Sequence, residues 1–129
     1  MRKIILFILS LFYFGFFHGQ LKLADILFNN FEYKTAAKIY SESSSLSKKQ
    51  LENYALSYFY TNDFHKSNTV FKKVLDDKPN DFYLNYCYSV CLKSIGKYKS
   101  AKKILNNLHF QDSLRIFPNG IMIYKCELF

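Results

Sequence analysis

The sequence predicts an all-α protein built from repeated helical hairpins, and three observations carry that prediction. The stretch "NDFHKSNTVF" (62–71) returns 34 residues later as "GKYKSAKKIL" (96–105). Asn62 and Gly96, Phe64 and Tyr98, Ser67 and Ala101, Phe71 and Leu105, and Val74 and Leu108 agree in class at that one spacing. Self-similarity at a period of about 20–50 residues marks stacked repeats. Apolar residues also recur at i, i+3, i+4 and i+7, which places them on one face of a helix. Finally, no stretch alternates apolar and polar residues for long enough to build a sheet.

Taken in order, the chain starts with "MRKIILFILSLFYFGFFHGQ". Arg2 and Lys3 precede an apolar run from Ile4 to Phe17, broken by Ser10 and Gly15 and followed by His18, Gly19 and Gln20. The run falls short of the roughly 20 residues that span a bilayer as a helix. It reads as a secretory signal peptide over residues 1–19, with Gln20 or Leu21 as the mature start. Phe17 is large where a small residue is usual before cleavage, and an uncleaved anchor is the alternative. No cysteine ends the run, which argues against a lipoprotein.

The first unit, 20–46, carries Leu23, Ala24 and Leu27 in a helix near 21–30, and Tyr33, Ala36 and Tyr40 in one near 33–45. It precedes the second copy by 31 residues rather than 34 and has no closing proline. The second unit, 47–80, sets Leu51, Tyr54, Ala55 and Tyr58 (47–60) against Phe64, Ser67, Phe71, Val74 and Leu75 (64–77). The third, 81–110, pairs Tyr88, Ser89 and Leu92 (82–95) with Tyr98, Ala101, Leu105 and Leu108 (98–109). Ala24, Ala36, Ala55, Ser67, Ser89 and Ala101 are small enough for two helix backbones to approach closely. Asn62 and Gly96 suit a left-handed residue at a tight turn. Asp63 can cap the helix that follows it, and Pro79 stops that same helix.

Beyond Leu108 the helical pattern fades into a tail, 111–129, with a Pro-Asn-Gly turn at 118–120. Residues 111–117 can form one capping turn headed by Asp112. Ile121, Met122, Ile123, Tyr124, Leu128 and Phe129 have little to pack on. The tail is therefore expected to be loosely ordered and to drive self-association.

Over residues 21–110 the three registered copies resemble the tetratricopeptide repeat (TPR) family. The resemblance implies a right-handed solenoid of three hairpins after a cleaved signal peptide. It also implies that the first helix of each unit lines a concave groove, which binds an extended peptide or a helix of another protein. The groove positions it assigns are Asp25, Phe28 and Asn29 in the first unit. In the second they are Lys49, Glu52, Asn53, Leu56, Phe59 and Tyr60. In the third they are Tyr83, Tyr86, Val90 and Lys93. The basic cluster with which some TPR domains hold a terminal carboxylate is missing, and only Asn53 and Lys49 fit that role. A narrower resemblance joins the apolar start and "LKLADILFNNFEYKTAAKIY" to envelope proteins of Bacteroidetes. In those, a TPR region precedes a β-propeller and an OmpA-like domain, and some members serve type IX secretion and gliding. It implies an exported, periplasmic assembly module at the outer membrane, or a truncated remnant of such a protein.

The formal charge is +8, and it falls to +6 without Arg2 and Lys3. The lysines are spread over every helix, and the only arginines are Arg2 and Arg115. A solvated lysine- and asparagine-rich face explains this better than nucleic-acid binding or attraction to an anionic envelope surface. Three cysteines exclude a fully paired disulfide framework. Cys87 and Cys91 lie four apart on one helix face, and with Cys126 and His109 they define an alternative reading as a metal or redox protein. The favoured reading makes them small buried side chains, with no cofactor. His65 and His109 are the only histidines after the apolar start, and neither sits in a nucleophile–base motif. With no phosphate-cradling glycine loop either, the sequence predicts a non-enzyme with a protein partner and no small-molecule substrate.

Overall fold

The structure, a computed structural model, describes residues 19–111 and the side chains of 19–108. The leading apolar segment and the tail from Asp112 onward lie outside the described residues, and so do the expectations placed on them. Among the described residues the chain is all-helical. Helix α1 covers 19–29, α2 Tyr33–Glu42, α3 Lys48–Tyr60, α4 Phe64–Asp77, α5 Phe82–Ser94 and α6 Tyr98–Gln111.

Local chemistry sets most of these bounds. Ser47 and Gln50 form a reciprocal capping box at the start of α3. The side chains of Asp63 and Asp81 accept from Lys66 N (3.3 Å) and Leu84 N (2.9 Å), heading α4 and α5. Helix α2 ends at Glu42, three residues before the expected 45. The cause is the serine run, in which Ser43 Oγ donates to Ser45 O (2.9 Å) and accepts from Ser45 N (3.4 Å). A serine side chain that bonds nearby backbone competes with the helix ladder.

The turn inside each hairpin is the same one, made three times. Glu32 N donates to Leu27 O, Asp63 N to Tyr58 O, and Lys97 N to Leu92 O, at 2.8–2.9 Å. One residue earlier, Phe31, Asn62 and Gly96 take φ of 65°, 61° and 79°. This is the Schellman closure, in which a left-handed residue lets the chain satisfy the last carbonyls of the helix. Asn62 and Gly96 adopt it at little cost. For Phe31 it is a strained conformation.

Each helix packs against its successor in sequence, and α3 also touches α5. At the crossings the six small residues are at most 1% exposed. Ser67 Oγ even reaches across to the backbone of the partner helix, donating to Ala55 O at 3.0 Å. One core cluster joins Leu21, Ala24, Ala36 and Tyr40. A second joins Ala55, Leu56, Val70, Phe71, Val74, Leu84, Cys87 and Cys91. Phe28 and Tyr54 pack against both and make the core continuous. Among the described residues no helix is long and apolar enough to cross a membrane.

Candidate binding face

Helices α1, α3 and α5 meet directly, through the α3–α5 contact and through a bond from Gln50 Nε2 to Asp25 Oδ2 (3.1 Å). Aromatic rings run along this side of the molecule. Phe28 meets Tyr33 edge-on with centroids 5.4 Å apart, and Tyr33 lies over Tyr60 at 4.5 Å and 30°. The Tyr60 and Tyr83 hydroxyls share a 2.6 Å hydrogen bond that ties α3 to α5. Phe59 sets its edge against Tyr60, Phe64 and Phe71, which roots the row in the core. Such offset and edge-on pairs contribute about 0.5–1.5 kcal/mol each beyond burial. Tyr60 is 41% exposed and Phe31, which meets Tyr33 edge-on at 6.1 Å, is 77% exposed.

Ten of the thirteen positions assigned from the sequence divide into three groups. Phe59, Tyr60 and Tyr83 lie together in this row, and Phe28 adjoins it through Tyr33. Tyr86 is half-buried against the second core cluster, Val90 and Lys93 are half-buried on α5, and Asn29 is exposed at the end of α1. Asn53 and Leu56, by contrast, are only 5% and 6% exposed. Packing covers both, so neither offers a partner a surface. Leu56 belongs to the core cluster, and the buried Asn53 Oδ1 meets no donor.

Charges frame the face on one side. Glu52 accepts from Lys49 at 2.9 Å and from Lys78 at 2.6 Å, while Asp25 accepts from the Tyr40 hydroxyl at 2.6 Å. Burial pulls the Glu52 carboxyl upward, but the bonds from Lys78 and Lys49 outweigh it and hold the group below the usual carboxylate range. Burial and the bond to Asp25 push the Tyr40 phenol well above its ordinary value. Asp25 is thus a fastener joining α1, α2 and α3, and both its oxygens are occupied.

Three contributors, Phe31, Tyr33 and Lys78, stand outside the groove positions that the resemblance assigns. The repeat pattern marks Tyr33 as a hairpin packing residue, and in the structure it is half-buried and continues the row. A signal for Phe31 did exist. Shifting Asn62 back by the 31-residue step places Phe31 on the left-handed turn position. Lys78 returns to α3 from 26 residues away, and nothing local announces that contact.

Cys87 and Cys91 are buried free thiols. Burial pushes Cys87 up to about 12, against a weaker lowering by Tyr83, and pushes Cys91 up to about 11, against a weaker lowering by Ser67. Thiols held in this way are poor nucleophiles and poor metal ligands at neutral pH. Among the described residues no three of His, Cys, Asp and Glu gather to hold a metal. The side chains of His109 and Cys126 lie outside the described residues.

Comparison with protein-family models finds none that matches, and comparison with curated proteins and with solved structures finds no match either.

Proposed function

We propose that the chain is a TPR-type scaffold of three helical hairpins that binds another protein along the face of α1, α3 and α5. The reading rests on one observation above all. An aromatic row from Phe31 through Tyr33 and Tyr60 to Tyr83 lies across separate hairpins, with Phe31 and Tyr60 open to solvent. Aromatic side chains anchored at one end and exposed at the other are what protein interfaces use as hot spots. The strained Phe31 supports the same reading, because a costly conformation holding out a phenyl ring calls for a role outside the fold. Three identical turns, three small-residue crossings and the direct α3–α5 contact support the solenoid.

The basic, apolar start adds an exported protein of the cell envelope, and the Bacteroidetes resemblance adds a place beside outer-membrane or type IX secretion machinery. The test is capture from an envelope extract by the wild-type chain and by a Phe31→Ser/Tyr60→Ser variant, which changes the two exposed rings. The wild type should retain a defined protein that the variant loses while keeping its helicity. Equal capture by both would move the site to another face.

A further inference from the structure

The lysines are evenly spread, but the carboxylates that balance them are not. From Gly19 to Asp81 nine lysines face eight carboxylates, whereas from Phe82 to Gln111 there are five lysines and none. Nearly all the charge excess of the described residues therefore sits on the last hairpin. On α6 the buried residues Ala101 and Leu108 define the inward face. At about 100° per residue, Lys99 and Lys103 fall opposite that face and Lys102 on its flank, so the three share one outward arc of about 100°. All three are exposed, as is Lys97 just before the helix. Among the described residues no carboxylate lies within ion-pair distance of these four, and the four ion pairs present use Lys48, Lys49, Lys66 and Lys78.

This arrangement works against the helix. Like charges at i+3 and i+4 repel, and lysines in a first turn oppose the helix dipole. No acidic residue offsets them there, in contrast to the aspartates heading α4 and α5. Between Lys97 and Lys99, Tyr98 stands 57% exposed. An exposed phenol ring four residues before Lys102, on the same flank of the helix, suits the headgroup layer of a bilayer, where amphipathic aromatics settle and lysines reach phosphates. Base-specific duplex recognition would call for arginine forks to read base edges, and the described residues contain no arginine.

The geometry points to α6 as a docking surface for anionic phospholipid, with Lys99, Lys102 and Lys103 meeting headgroup phosphates and Tyr98 entering the headgroup layer. This surface is separate from the aromatic row and does not depend on it. The test uses the full chain and phosphatidylcholine vesicles with and without phosphatidylglycerol. The ratio of the two affinities isolates charge from any insertion of apolar residues 4–17, which both vesicles share.

Each lysine near such a surface is worth about fivefold in affinity, so Lys99→Gln/Lys102→Gln/Lys103→Gln should cut the ratio roughly 100-fold. A control that removes equal charge from exposed positions elsewhere, Lys34→Gln/Lys38→Gln/Lys73→Gln, should leave most of the ratio intact. Far-ultraviolet dichroism should show both variants to be helical. An equal fall in the control would mean that net charge alone is at work and would overturn the assignment. So would a ratio near one for the wild type, or tighter binding of a DNA duplex than of the anionic vesicles.

Discussion

Replacing Phe31 by Asn should stabilise the protein even though it removes an aromatic ring. At φ 65° an L-residue other than Gly, Asn or Asp is held at a cost of about 1–2 kcal/mol. Asparagine adopts the same conformation readily, as Asn62 does at the equivalent turn of the next hairpin. Against that relief stands the edge contact with Tyr33, about 0.5 kcal/mol at the weak end for so exposed a ring. Burial adds little, since the side chain is 77% exposed. The net gain is about 0.5–1.5 kcal/mol, which for a domain of this size raises Tm by roughly 2–12 °C. Thermal and urea unfolding followed by dichroism at 222 nm measure it. The reverse exchange, Asn62→Phe, should cost about 1–2 kcal/mol. If Phe31 is kept for binding, the stabilised Phe31→Asn chain should also capture its partner about tenfold less well. A Phe31→Asn chain that melts several degrees below wild type would refute the strain argument. A more stable chain with undiminished capture would separate the strain from the binding role.

Other outcomes follow from the same geometry. Ala101→Trp should disrupt the last hairpin, because Ala101 is fully buried at the α5–α6 crossing and a large side chain forces the helices apart; a wild-type melting curve would refute that packing. Asp81→Ala should cost about 1 kcal/mol in urea unfolding through loss of the α5 cap, with Asp81→Asn close to wild type. Glu52 and Asp63 are both depressed when folded, Glu52 by Lys78 and Lys49 against its burial, Asp63 first by its bond with Lys66. Their contribution is therefore present above the ordinary carboxylate range and lost as pH falls through their folded values, so stability should decline below about pH 4. Glu52→Gln should flatten that decline. In a Cys126→Ser background, native Cys87 and Cys91 should resist thiol reagents at neutral pH and react once the chain is unfolded in urea.

Much of the fold was legible because each hairpin repeats one solution. The aromatic–x–x–small pattern marks every crossing, and α4 runs over the expected residues because an aspartate and a proline bracket it. Helix α2 ends before its pattern does because serine is tolerable in a helix, and only the Ser43 side-chain bonds to Ser45 end it early. The site was less legible. Tyr60 and Tyr83 were named separately, yet the bond joining them depends on how α3 and α5 sit together. Leu56 and Asn53 share the face of α3 with Phe59, but neighbouring elements cover them. A single helix wheel does not distinguish the part of a face that meets another helix from the part left open. The charge asymmetry is hidden for a different reason. The lysines are spread over every helix, and it is the absence of carboxylates from Phe82 to Gln111 that leaves the last hairpin positive.

The binding claim is tested most directly by placing a photo-crosslinking aromatic residue at position 60 in the living cell. A matched probe at Thr69, exposed on α4, serves as the comparison. Irradiation should join the position-60 chain to a distinct second polypeptide, with no such adduct from position 69. An adduct from position 69 alone, or none from position 60, would contradict a partner seated on the aromatic face of α1, α3 and α5.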